Sequence, residues 1–116
     1  MTKILIADDD KAVRTSLSLL LKNGGYVPVS AENPDEALKL LESTDIELVV
    51  MDMNYSMKTT GEEGLQLLKD IKSLNAELPV IIITAWGSIS LAVEGMKAGA
   101  ADFINKPWNN EHFLQS

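Results

Sequence analysis

Cysteine is absent from these 116 residues, which excludes disulfides, thiolate metal sites and thiol catalysis. Aromatic residues are scarce at 5%, and histidine occurs once, as His112 near the end of the chain, where it reads as a surface residue. Basic charge is in the minority: ten Lys and Arg against seventeen Asp and Glu leave a net charge of −7. Such a surface repels nucleic acid and anionic membranes, so no nucleic acid is expected to bind here; a cation or a basic protein face is favoured instead. No apolar run approaches the roughly 18 residues that a membrane-crossing helix needs. Met1-Thr2-Lys3 leads straight into a strand-like segment without a signal-peptide core, so a cytoplasmic protein is expected.

What is present is an ordinary globular composition, 46% hydrophobic, in a length that suits one domain (1–116) with one core. Five short apolar runs alternate with helical patterns. Ile4–Ala7 is followed by Asp10 as an N-cap and by Val13, Leu17, Leu20 and Leu21 at helical spacing, with Gly24-Gly25 as the stop. Val27–Ala31 is a weaker strand whose Pro28 suggests an edge position. Asn33-Pro34-Asp35-Glu36 then combines an N-cap, a proline at the first helical position and an acid three residues after the cap.

Leu48–Met51 and Val80–Ile83 are continuous apolar runs, as expected of strands buried on both faces. Between them lie a polar loop, Met53 to about Gly61, and a helix presenting Leu65, Leu68 and Ile71. Ser88 caps a helix bearing Ile89, Ala92, Val93 and Met96, with Met96 assigned to the core and Gly99 as the terminator. Asp102–Asn105 is the last strand, and a helical fragment from about Asn110 closes the chain. The alternation predicts an α/β fold: a doubly wound five-stranded parallel sheet of order 2-1-3-4-5, flavodoxin-like, with helices on both faces.

Ligands of such sheets lie outside the carboxyl ends of the strands. Asp8, Asp9 and Asp10 follow the first strand and Asp52 the third; Thr84 ends the fourth and Lys106 follows the fifth. Carboxylates brought together repel, so either one takes up a proton or a divalent cation sits among them. Oxygen ligands suit Mg²⁺, Mn²⁺ or Ca²⁺, and few carboxylates favour Mg²⁺. Asp9 and Asp52 are the candidates for direct ligands and Asp8 for a water-mediated one, while Asp10 is assigned to helix capping.

These residues resemble the receiver domains of two-component response regulators. The resemblance rests on Asp8-Asp9, Asp52, Thr84-Ala85 and Lys106-Pro107, in that order and each at a strand end. It implies that Asp52 accepts a phosphoryl group from a sensor histidine kinase. Mg²⁺ would be held by Asp9, Asp52 and the backbone carbonyl of Asn54, with Asp8 acting through water. Lys106 would pair with the phosphoryl oxygens, Thr84 would hydrogen-bond one of them, and a cis bond before Pro107 would aim Lys106. Such a domain is a phosphorylation-activated switch, not an enzyme with external substrates; it catalyses only its own phosphorylation and slow dephosphorylation.

The resemblance also implies that Thr84 moves on phosphorylation and that Phe103 reports the change by packing. The output surface would be the helix after Ser88, the fifth strand and the last helix, with a phosphorylation-dependent homodimer as one outcome. Trp86 and Asn54 sit where the family tunes phosphoryl lifetime. The stretch Thr84–Ala100 looks most like receivers of the nitrogen-regulation class, which activate the sigma-54 factor. An effector with ATPase and DNA-binding parts, controlling transcription, is then expected beyond residue 116, with the last helix truncated.

The chain departs from the pattern in one place. Family members carry proline four residues after the phosphoacceptor and glycine eight after it, whereas here Ser56 and, twelve residues on, Gly64 stand in those roles. An insertion of about four residues within Met53–Glu63 follows, which costs little closure entropy but bears on kinase docking and metal access near Asn54. Two rivals fit less well. A phosphohydrolase of the haloacid dehalogenase type wants an acid where Asn54 stands, and a flavin carrier would not place three aspartates at its phosphate loop.

Overall fold

The computed structural model describes residues 2–52, 62–84 and 89–105. Strand and helix alternate throughout: β1 (Lys3–Ala7), α1 (Lys11–Asn23), β2 (Val27–Ala31), α2 (Pro34–Ser43), β3 (Leu48–Asp52), α3 (Glu62–Leu74), β4 (Val80–Thr84), α4 (Ile89–Lys97) and β5 (Asp102–Asn105). The strands form one five-stranded sheet of order β2-β1-β3-β4-β5, parallel at every pairing. This is the architecture expected from the apolar runs. The weak, proline-bearing strand is at one edge, and the two strands of unbroken aliphatic residues are interior.

Local signals set the element ends. Asp10 caps α1, its side chain accepting from the Ala12 N–H at 2.9 Å. Asn33 caps α2 through the Glu36 N–H at 2.8 Å, with Pro34 in the first turn. Each cap satisfies an amide that the helix itself leaves without a partner. At the far end of α1, Gly24 N–H closes back onto Leu20 and Leu21, and Gly25 turns the chain with φ +88°.

Alternation along each strand divides the core in two. Leu5, Ala7, Val49, Met51, Val80 and Ile82 face one way and pack with Ala37 of α2 and Leu67, Leu68 and Ile71 of α3. Ile4, Ile6, Val50, Ile81, Ile83 and Ile104 face the other way onto Leu17 and Leu21 of α1. Helices therefore cover both faces. No helix among the described residues is long and apolar enough to cross a membrane.

On α3 the expected face is kept: Leu68 and Ile71 are buried, Leu65 packs partly buried against the same layer, and Leu67 is buried beside them. One packing expectation is corrected. On α4, Met96 is not core: it is 40% exposed, and Val93 46%. Among the side chains described on this helix, the small residues Ala92 and Gly95 are the buried ones. Three residues apart, they lie on one face and let the helix sit close to the sheet, which turns Val93 and Met96 outward. With Phe103 of β5 they line an open groove of ≈ 350 Å³. The terminal helical fragment expected from Asn110, including His112, lies outside the described residues.

Candidate functional site

Strand register assembles the site. Ala7 is level with Met51, so Asp8, next after Ala7, is level with Asp52 at the end of β3. Asp52 is in turn level with Ile83, and Thr84 with Asn105. The carboxyl ends of β1, β3, β4 and β5 thus form one edge. Asp52 and Thr84 belong to it as the last residues of β3 and β4, and Asp8 and Asp9 by following β1.

Oxygens of Asp8, Asp9 and Asp52 all lie within 4.8 Å of one another. Asp8 and Asp52 are 1% and 3% exposed, and among the described residues they are the charged side chains that are buried; Asp9 is exposed. Burial among aliphatic neighbours lowers the local dielectric. Mutual repulsion of the Asp8 and Asp52 charges is then on the order of a few kcal/mol. The arrangement suits a compact, hard cation: it is all oxygen, has few carboxylates, and is open to water on the Asp9 side. It could hold a divalent metal.

The loop carrying Asp8 and Asp9 is tied down on all sides. Asp8 N–H donates to the Ala31 carbonyl at 3.1 Å, and Asp8 Oδ1 accepts from the Asp10 N–H at 2.9 Å. The Asp8 carbonyl accepts from Arg14 Nη1 at 2.8 Å, and Arg14 Nη2 lies 3.9 Å from Glu32 Oε2. Arg14 went unremarked in the sequence. Its position four residues after the N-cap, one turn above the acidic loop, is the signal that could have found it.

Among the described residues, the structure brings together part of the sequence-derived set. Asp8, Asp9 and Asp52 meet, and Asp10 serves α1 as expected. Thr84 is the last residue of β4 by its backbone. Asn54, Trp86, Lys106 and Pro107 lie outside the described residues, as does the inserted loop with Ser56.

A parallel 2-1-3-4-5 sheet with three aspartates gathered at the carboxyl ends of β1 and β3 is the arrangement of a receiver-like α/β domain. Residues 4–116 match the response regulator receiver domain family, and the chain belongs to it. Among curated relatives, it is 37% identical over 111 residues, 96% of its length, to a putative NtrX-like response regulator of Rickettsia bellii. It is 39% identical over 112 residues, 97% of its length, to the response regulator FleR of Pseudomonas aeruginosa. The chain spans 23% of the length of each of these two relatives.

Among solved structures, the receiver domain of NtrX from Brucella abortus superposes with a TM-score of 0.89 at 32% identity, covering 97% of this chain and 92% of that one. A receiver domain from Clostridium thermocellum gives 0.89 at 26% identity, with 99% and 90% covered. The nitrogen-regulation resemblance accords with the NtrX-like relatives. The chain is a receiver domain, the phosphorylation-controlled switch of two-component systems.

Proposed function

We propose that Asp52 is the phosphoacceptor, taking a phosphoryl group from the phosphohistidine of a sensor histidine kinase. One Asp52 carboxylate oxygen attacks phosphorus, the N–P bond of the phosphohistidine breaks, and an acyl phosphate forms on the side chain. The observation that carries this reading is the meeting of Asp52 with Asp8 and Asp9 within 4.8 Å at a buried strand end. A carboxylate so placed is shielded from bulk water beside two further acids, and phosphoryl transfer depends mainly on positioning and charge neutralisation.

The donor set fits Mg²⁺, with Asp9, Asp52 and the carbonyl of Asn54 as direct ligands and Asp8 through water. Bound there, the ion would offset the charge of both the aspartates and the incoming phosphoryl oxygens. Lys106 pairs with those oxygens, and the Thr84 hydroxyl hydrogen-bonds one of them. Turnover is confined to this domain's own phosphorylation and its slow hydrolysis. The chain acts in the cytoplasm as the receiver part of a longer protein, in which an effector, an ATPase with a DNA-binding part, controls transcription. The output face comprises α4 and β5, and phosphorylated molecules pair through it.

Intact mass after incubation with Mg²⁺ and acetyl phosphate tests the chemistry. One added phosphoryl group is expected, absent in Asp52→Asn and in EDTA. An adduct that survives Asp52→Asn would place the acceptor elsewhere.

A further inference from the structure

We propose that Arg14 is a positioning residue for the cation site: it holds the Asp8–Asp9 peptide so that both side chains meet Asp52. This rests on the reading of the acidic cluster as a divalent-cation site. Asp8 is fixed at its N–H by the Ala31 carbonyl and at its carboxylate by the Asp10 N–H. Its carbonyl is fixed by Arg14 Nη1 at 2.8 Å. The first two bonds set where Asp8 sits. The third sets the plane of the following peptide, because the carbonyl and the Asp9 N–H are coplanar. The peptide plane determines where Asp9 Cα lies, and so whether the exposed Asp9 carboxylate can share an ion with the buried Asp52.

Arg14 is suited to this by its surroundings. Its side chain is 16% exposed, so the guanidinium is largely withdrawn from water, and a charged donor to a carbonyl is stronger than a neutral one. Its second nitrogen is 3.9 Å from Glu32, just past β2, so the guanidinium ties the β1–α1 loop to the β2–α2 loop. The Glu32 carboxylate is 63% exposed and screened, so this contact orients the fork and adds little energy of its own.

Charge and geometry act in opposite directions here. A cation beside the cluster disfavours a second cation, whereas an ordered Asp8–Asp9 peptide favours it. The sign of the change on removing Arg14 therefore reports which contribution dominates, and the proposal commits to geometry.

Mg²⁺ titration by calorimetry on the chain and its variants is the test, with melting of the metal-free proteins and the Mg²⁺ dependence of acetyl phosphate labelling alongside. Arg14→Met is expected to weaken Mg²⁺ binding roughly tenfold, as loss of outer partners of metal ligands does. Half-saturating Mg²⁺ for labelling should move by the same factor, while the plateau rate at saturating Mg²⁺ stays within about twofold, a split that general destabilisation would not produce. Arg14→Lys, which keeps the charge and loses the planar fork, should weaken binding by a smaller factor.

Unchanged or tighter Mg²⁺ binding by folded Arg14→Met overturns the proposal. Should Arg14→Met show no cooperative melting, Arg14→Lys decides: affinity equal to the parent overturns the proposal, and weakened affinity at an unaltered melting temperature supports it. A parent chain that takes up no Mg²⁺ fails the cation-site reading and this proposal together. A parent that binds while Arg14→Met binds equally well fails this proposal alone.

Discussion

At the scale of single residues, the site couples stability to ligand. Asp8 and Asp52 are buried within 4.8 Å of each other and of Asp9, so without metal their repulsion opposes folding. Asp52→Asn should raise the stability of the metal-free protein by about 1–2 kcal/mol, read as a higher melting temperature. The parent should gain about 2.7 kcal/mol at a hundredfold excess of Mg²⁺ over its dissociation constant, because only the folded state binds. Asp52→Asn should lose most of that gain. A metal-free melting temperature lower in Asp52→Asn than in the parent would show that the carboxylate's other contacts outweigh the repulsion. Asp9→Asn, on the exposed side, should weaken Mg²⁺ binding on the order of tenfold by removing one ligand charge, measured by the same calorimetry.

Among the elements, caps and turns carry most of what can be tested. Asn33 accepts from the Glu36 N–H, and replacing it by Ala should cost about 1 kcal/mol in urea unfolding. Gly99 ends α4 at φ +111°, where a side chain is strained, and an added Cβ would stand 3.2 Å from Lys72 Cε. Lys72 is itself committed there, donating to the carbonyls of Leu78 and Ala76 at 2.8 and 3.2 Å. Gly99→Ala should therefore cost about 1 kcal/mol or more, chiefly from the backbone. On α4, Met96→Gln should change stability by under about 0.5 kcal/mol, as at other surface positions. A loss of several kcal/mol would return Met96 to the core role that its helical spacing suggested.

Across the whole molecule, the sheet is the unit of stability, because each of its faces feeds a separate apolar layer. Ile82 is fully buried in the layer shared with α2 and α3, and Ile83 lies in the opposite layer with α1. Ile82→Ala should cost 2–5 kcal/mol, roughly the usual range for a buried aliphatic cut back to Ala, with an unchanged denaturant slope if unfolding remains two-state. Much of this architecture was legible in the residues: unbroken aliphatic runs marked the interior strands, and Pro28 marked the edge. The inward face of α4 was not: Ala92, Val93 and Met96 all lie on its apolar stripe, yet of the three only Ala92 is buried.

The sequence by itself determined the alternation of strand and helix, the strand order, the caps at Asp10 and Asn33, and the presence of acids at two strand ends. These follow from periodicity and capping, which act between residues a few positions apart. It also carried the receiver resemblance, through residues named at each strand end. Tertiary structure alone decided that Asp8, Asp9 and Asp52 come within reach of one ion, since that depends on the register of β1 against β3. It alone turned Met96 and Val93 outward, by letting Ala92 and Gly95 approach the sheet. It alone brought Arg14 onto the Asp8 carbonyl, because a hydrogen bond from a helix back to the loop before it requires both to be in place.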